Sequence, residues 1–294
     1  MRKLGILLTA LALTAVLVLM VLASGILPLS REEGTPVVWE LKNVFTSAKE
    51  ESEDHSYPLV PSLTVQNPLG DISVHGTNGG EIRVTLSKRA EAKTLGRVGE
   101  LLEKISLEAK ENPEGTELIV HLPKDTPNEK VRADLRLEVP KGVTLNLHAG
   151  LGRVSVTAYG GQLKVINKLG PIELVEYNGS AALEAHLGNI HITDSTFTDE
   201  LVAITHLGDV HAAALLAQEN VLESNLGDIT LLLSPDEAYV LEGSVGLGDF
   251  ATDLPFKGER SSSSIKGIIG EGEHRGMIFV DVSLGSLQLT KREE

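Results

Sequence analysis

Leu183-Glu184-Ala185-His186-Leu187-Gly188-Asn189-Ile190-His191-Ile192 decides the fold, because its central step returns seven more times. That step is Leu-Gly, then a turn residue, then an apolar one. It starts at Leu69, Leu151, Leu169, Leu187, Leu207, Leu226, Leu247 and Leu284. From Leu151 to Leu247 the spacings are 18, 18, 20, 19 and 21 residues, and the last, 37, is about two such periods. Self-similarity at so short a period means stacked structural units.

Aligned on the leucine, the copies show their columns. Four residues earlier stand Val65, Leu147, Val165, Leu183, Ala203, Leu222, Gly243 and Val280. Three residues later stand Ile72, Val154, Ile172, Ile190, Val210, Ile229, Phe250 and Leu287. Each side of the glycine alternates with period two, as a strand with one buried face does. The parity slips at the glycine, since the leucine and the residue three later are both apolar. The slip predicts a corner at which the chain bends and keeps its apolar face, leucine included, turned inward. Glycine suits such a bend because it has no Cβ. Return turns are read at Tyr159-Gly160-Gly161 and Tyr177-Asn178-Gly179. Two strands of ~5–6 residues and two turns fill one period. The expected architecture is all-β: a parallel β-solenoid of rungs ~19 residues long with Leu-Gly corners. An antiparallel sandwich would not repeat its corners at constant spacing. Asn67 and Asn167 fall in an inner column, where their amides must find corner or ladder hydrogen bonds.

The 294 residues carry a net charge of −15, and no cysteine. Nucleic acid, which needs a basic footprint, is excluded as a partner. Disulfides, thiol catalysis and a lipidated cysteine are excluded too. Residues 1–29 read as a transmembrane anchor or signal segment. Arg2 and Lys3 precede an uncharged stretch from Leu4 to Leu27, long enough at ~1.5 Å per residue to cross a membrane. Cleavage after Ala23 is the alternative. Either fate places the rest outside the cytoplasm. Residues 30–61 read as a stalk with a solvated acidic run, Glu50-Glu51-Ser52-Glu53-Asp54, and Val37 to Phe45 as one added strand. The solenoid is assigned to 62–290. Within it, 81–140 is an N-terminal α/β capping insertion, with strands over Glu81 to Leu86, Thr116 to Leu122 and Val131 to Val139. A helix is read over Ala90 to Ile105, from apolar residues three and four apart. The cap would cover an open sheet edge.

Asn67-Pro68-Leu69-Gly70-Asp71-Ile72-Ser73-Val74, the helix near 90–105, the serial Gly-Asp-Ile corners and the closing Gly270-Glu271-Gly272 before Met277 to Leu289 resemble the putative-adhesin β-solenoid family of unknown function (the DUF4097 type). The resemblance covers about 62–290. It implies an envelope protein of bacteria or archaea, often with one transmembrane helix and sometimes linked to envelope stress. It brings no catalytic residues. Pro171 and Arg153 depart from its corner Asp or Asn.

Asp71, Asp209, Asp228 and Asp249 follow corner glycines, and each is expected to accept backbone N–H bonds in its own turn rather than hold calcium. His186 with His206, and His191 with His211, share columns and are expected outward, as solvated pairs rather than a metal site. Ser261 to Ser264 reads as a loop. The chain lacks Gly-x-Ser-x-Gly, His-Glu-x-x-His and a phosphate loop. No catalytic, cofactor or metal residues are assigned. The expected function is a non-enzymatic, membrane-anchored binding or scaffold module. Its partners would be a protein or envelope polysaccharide on the solenoid faces, and the membrane through the N-terminal helix. A regulatory envelope sensor is the alternative, and polysaccharide cleavage a remoter one.

Overall fold

The computed structural model describes residues 47–292, apart from 125, 127, 235 and 262. Leu4 to Leu27 and the strand read over Val37 to Phe45 lie outside the described residues. What is described is nearly all strand, with one helix. No helix among the described residues is long and apolar enough to cross a membrane.

Strands meet in pairs at the Leu-Gly steps. After β1 (Ser47–Pro58), β2 (Ser62–Leu69) turns at Gly70 into β3 (Ile72–Thr77). The long gap that follows holds β4 (Glu81–Ala92), α1 (Leu95–Glu103), β5 (Ser106–Asn112), β6 (Gly115–His121) and β7 (Lys130–Pro140). Then come β8 (Thr144–Leu151) with β9 (Val154–Thr157), and β10 (Gly160–Leu169) with β11 (Ile172–Val175). β12 (Asn178–Leu187) leads into β13 (Ile190–Leu207), and β13 into β14 (Val210–Leu215). β15 (Glu219–Leu226) pairs its corner with β16 (Ile229–Leu233), and β17 (Glu237–Leu247) with β18 (Phe250–Thr252). β19 (Phe256–Arg260) and β20 (Ser264–Gly270) form a hairpin before the last corner, β21 (Glu273–Leu284) to β22 (Leu287–Lys291).

Strands flanking successive corners run parallel and in register, Leu169 pairing with Leu151 on one side and Leu187 on the other. The inner columns are buried: Val65, Leu147, Val165 and Leu183 at 0–1% exposure, and Ile72, Val154, Ile172 and Ile190 at 0%. Each such side chain contributes about 1.5–3 kcal/mol by leaving water. The corner needs glycine for two reasons, seen at Gly170. Its φ is +131°, and a Cβ there would run into the carbonyl of Gly152 on the neighbouring corner.

The order of the corners is not the order of the sequence. β15 pairs with β21, and β21 with β17. The last corner, at Leu284, is therefore inserted between those of Leu226 and Leu247. The 37-residue step is not a skipped period. It arises because β19 and β20 form an antiparallel hairpin whose β20 lies antiparallel beside β17 before the chain returns. The C-terminal strands are internal, with a neighbour on each side. The first corner is placed likewise: β2 lies between β6 and β8, and β3 between β7 and β9.

Three further expectations are corrected. The acidic run at 50–54 is not stalk but part of β1, antiparallel to β4. The helix is shorter than Ala90 to Ile105, because period-two burial carries β4 on to Ala92 and Thr94 caps the helix by accepting the Arg97 N–H at 3.2 Å. The corner leucines do not point inward. In β10, Asn167 is the last buried residue, and Lys168 and Leu169 both face out.

Replacing Gly170 by alanine forces an unfavourable φ and a backbone collision together. We expect a loss of about 3 kcal/mol or more in urea unfolding.

Candidate functional site

At four of the eight corners the inside is closed by a short polar side chain two residues before the leucine; at the others the buried Ala149, Ala185, Val245 and Val282 stand there. Asn167 Nδ2 donates to the carbonyls of Gly152 and Gly170, both at 2.9 Å. Thr205 Oγ1 donates to Gly188 O at 3.0 Å, and Ser224 Oγ to Gly208 O at 3.2 Å. Asn67 does the same with Ala133 O at 2.8 Å. Asn167, Thr205 and Ser224 satisfy the carbonyl of a neighbouring corner and Asn67 that of Ala133 in β7, so the amides are structural. Where alanine or valine takes that inner place the leucine faces out all the same, as at Leu187 with Ala185.

The outside of the corner carries a second ladder. Asp134 accepts the Asp71 N–H at 2.6 Å, and Asp71 accepts the Arg153 N–H at 2.7 Å. Further along, Asn189 accepts from Asp209 (2.9 Å), Asp209 from Asp228 (2.8 Å) and Asp228 from Ser286 (2.7 Å). The expected acceptance within each turn is thus corrected: the bonds run from one corner to the next. The two departures match each other in this light. Arg153 offers no acceptor, and Pro171, its neighbour in the stack, has no N–H to be accepted. Arg132 lies against both Asp71 (2.6 Å) and Asp134 (2.7 Å). Among the described residues no three His, Asp or Glu side chains converge as a metal site would need.

Outside these ladders the leucines form a stripe. In stack order it runs Leu69, Leu151, Leu169, Leu187, Leu207, Leu226, Leu284, Leu247, each in register with the next. Six are 40–48% exposed and Leu247 is 72% exposed. Stacking on one another covers part of each side chain; the rest faces water. At ~4.8 Å per strand the stripe is ~34 Å long. A contiguous apolar strip on a chain of net charge −15 marks a contact surface more readily than a folding requirement.

The residue before each leucine borders one side: Lys168, His186, His206 and Asn225 along the middle. The corner residues border the other: Asn189, Asp209 and Asp228. His186 and His206 stack with ring centroids 5.0 Å apart, and His186 Nε2 lies 3.0 Å from Glu184. His191 and His211 are 6.2 Å apart and tilted, on the far side of the corner. The structure keeps the two pairs separate. Partial burial, with His191 close by, lowers the His211 pKa. Burial and then Lys164 lower that of His148, against a raising influence of Glu117.

Sequence reading missed an aromatic ladder at the opposite turn. Tyr159, Tyr177 and Phe197 stack with centroids 6.4 and 5.7 Å apart. The residues before the tyrosines, Ala158 and Glu176, take a left-handed φ of 54° and turn the rings inward. Tyr159 donates to Val143 O and Tyr177 to Gly161 O at 2.6 Å. Burial pushes the Tyr159 hydroxyl up to about 12, and that of Tyr177 upward as well. The signal was present as Tyr-x-Gly eighteen residues apart at Tyr159 and Tyr177.

A hollow of about 410 Å³ over β3, β7 and β9 is lined by Ser73, His75, Asp134, Arg136 and Ser155. Its Asp134 is already engaged by Arg132 and the Asp71 N–H. Ser261 to Ser264 is the β19–β20 turn, with the Ser264 N–H on Ser261 Oγ at 3.0 Å.

No protein-family model matches the chain, and no curated protein matches it. Among solved structures it is similar to a "putative cell adhesion protein" from Clostridium sporogenes, at 9% identity and TM-score 0.34, over 82% of this chain and 100% of that one. It is similar to a "putative adhesin" from Bacteroides fragilis at 13% identity and TM-score 0.38, over 82% and 97%. A third likeness is to a "putative lipid binding protein" from Parabacteroides distasonis, at 11% identity and TM-score 0.40, over 81% and 96%. At these scores the likenesses carry no argument about what the chain does.

Two tests follow from the corner. Asp228→Ala leaves the Ser286 N–H without its acceptor and should cost about 1–3 kcal/mol, whereas Asp228→Asn keeps an acceptor oxygen and should cost under about 1 kcal/mol. Equal losses would show that the charge, not the acceptor, matters. The second test is pH. His148 and His211 have folded pKa values below the unfolded value of ~6.5, so the unfolded chain binds more protons and stability falls as pH drops through that value. Urea midpoints between pH 7.5 and 5.5 should decline, and His211→Gln should flatten the slope.

Proposed function

We propose that the chain is a parallel β-solenoid working as a non-enzymatic binding or scaffold module at the cell envelope. The observation that carries the reading is the leucine stripe: seven solvent-facing leucines, held in line by backbone ladders on both sides of the corner. A surface fixed in advance loses little conformational entropy when a partner docks. The stripe's apolar centre and polar borders are the composition of a contact surface.

Support for a non-enzymatic role comes from the corner carboxylates. They accept backbone N–H bonds, which leaves them poorly placed to move protons to a substrate. Support for an envelope location comes from Arg2-Lys3 before the uncharged stretch Leu4 to Leu27, which as an anchor would leave the strands outside the cytoplasm. Release after cleavage is the alternative. Partners in this reading are a protein or envelope polysaccharide.

The test is co-sedimentation of the purified full chain with envelope fractions of its own cells. A Leu169→Gln/Leu187→Gln/Leu207→Gln variant should bind at least ~10-fold less, at a stability cost near 1 kcal/mol per site because each leucine is only half-buried. Undiminished binding by a folded variant would contradict the reading. Release of envelope sugars, lost on changing one outward acid, would replace binding with catalysis.

A further inference from the structure

We propose that the leucine stripe is covered by the same stripe of a second copy. The two chains would lie side by side and run the same way, related by a two-fold axis parallel to the stacking direction. The proposal rests on the reading of the stripe as a docking surface; the stripe is then taken by the second copy, and envelope binding depends on it because the pair presents the remaining solenoid faces twice.

Three observations carry it. The first is spacing. The leucines recur at the inter-strand distance, ~4.8 Å, along the whole stack. A partner must present apolar groups at that step to meet them all, and this chain's own stripe does so. The second is area. Seven half-exposed leucines and their borders would bury roughly 600 Å² per chain, placing a pair near ~1,200 Å² in total, the lower end of stable interfaces. The third is the unlike character of the two borders. Lys168, His186, His206 and Asn225 lie on one side, and Asn189, Asp209 and Asp228 on the other.

The borders select the orientation. A two-fold axis along the stack sets the first border of one copy against the second border of the other, at equal height. His206 then meets Asp209, and Asn225 meets Asp228. An axis across the stack would set Asp209 and Asp228 against the same acidic border, where like charges repel. The parallel pair also leaves both Ser47 ends on the same side, compatible with the anchor proposed above. The edge strands are poor competitors for self-association: β1 carries Glu50, Glu51, Glu53 and Asp54, β5 carries Glu108, Lys110 and Glu111, β19 carries Lys257, Glu259 and Arg260, and β18 is only three residues long. The net charge of −15 opposes pairing at long range, so the pair should be studied at ~0.15 M salt, where the Debye length is ~8 Å.

The chain has no cysteine, so single cysteines are clean probes. Leu151→Cys, Leu207→Cys and Leu247→Cys are made in the full chain, with Gln162→Cys as a control on an exposed strand position away from the corner. Unchanged urea midpoints check folding. Under mild oxidation each leucine variant should give at least ~10-fold more disulfide-linked dimer than the control, because equivalent leucines face each other within disulfide reach. A mixture of Leu151→Cys with a size-tagged Leu247→Cys should give no mixed product. An antiparallel pair that overlaps all seven exposed leucines is centred on Leu207 and would give that mixed product, with Leu207→Cys alone linking to itself, and would overturn the orientation. Control-level dimer from all three variants would overturn self-pairing. Stripe-dependent envelope binding without cross-links would leave the docking reading standing and the pair refuted; cross-links with stripe-independent envelope binding would do the reverse.

Discussion

Backbone meets backbone at every corner, and the rest of the structure follows from how closely. The carbonyl of one corner glycine occupies the space that a Cβ on the next would need. The peptide N–H of each corner bonds across, as from Gly170 to Leu187 O at 2.8 Å and from Gly188 to Leu207 O at 2.9 Å. Polar side chains then close the corner from both sides. Asn167, Thr205 and Ser224 donate from within, while Asp71, Asn189, Asp209 and Asp228 accept from without. The leucine faces water whether the inner place holds a polar side chain, as at Leu169, or an apolar one, as at Leu187 with Ala185 inside.

This arrangement gives residues of similar chemistry different duties. The corner carboxylates look like a row of metal ligands when the sequence is aligned, yet Asp71, Asp209 and Asp228 each hold a backbone N–H in place of a cation. The tyrosines look like turn residues, yet their rings are buried and their hydroxyls donate to backbone carbonyls. The leucines look like core, yet among the described residues they form an exposed apolar row. For the carboxylates and the tyrosine hydroxyls, the need of backbone groups for partners sets the role.

Much of this was legible beforehand. The alternation at Val165, Ile172 and Leu174 specified the buried columns, and the repeated glycine specified parallel neighbours. The cap strands at 115–121 and 130–140 lie within a residue or so of where they were read. What could not be read has physical causes. Period two fixes faces within a strand but is silent at a bulge, so nothing told Leu169 from Ile172. Near-equivalent strands do not encode which of them are neighbours, so the insertion of Leu284 between Leu226 and Leu247 left no mark beyond an odd spacing. The corner aspartates were found, but their partners lie one strand away, and a single strand's pattern does not name them.

The order of the stack tests the account most directly, because every ladder described above depends on it. Leu226→Cys with Leu284→Cys should form an intramolecular disulfide, detected by peptide mass under dilute oxidising conditions, since neighbouring strands sit ~4.8 Å apart, within the usual disulfide span. Leu226→Cys with Leu247→Cys, two strands apart at nearly twice that distance, should not. A bond in the second pair and none in the first would mean that the corners stack in sequence order, and the account would be wrong.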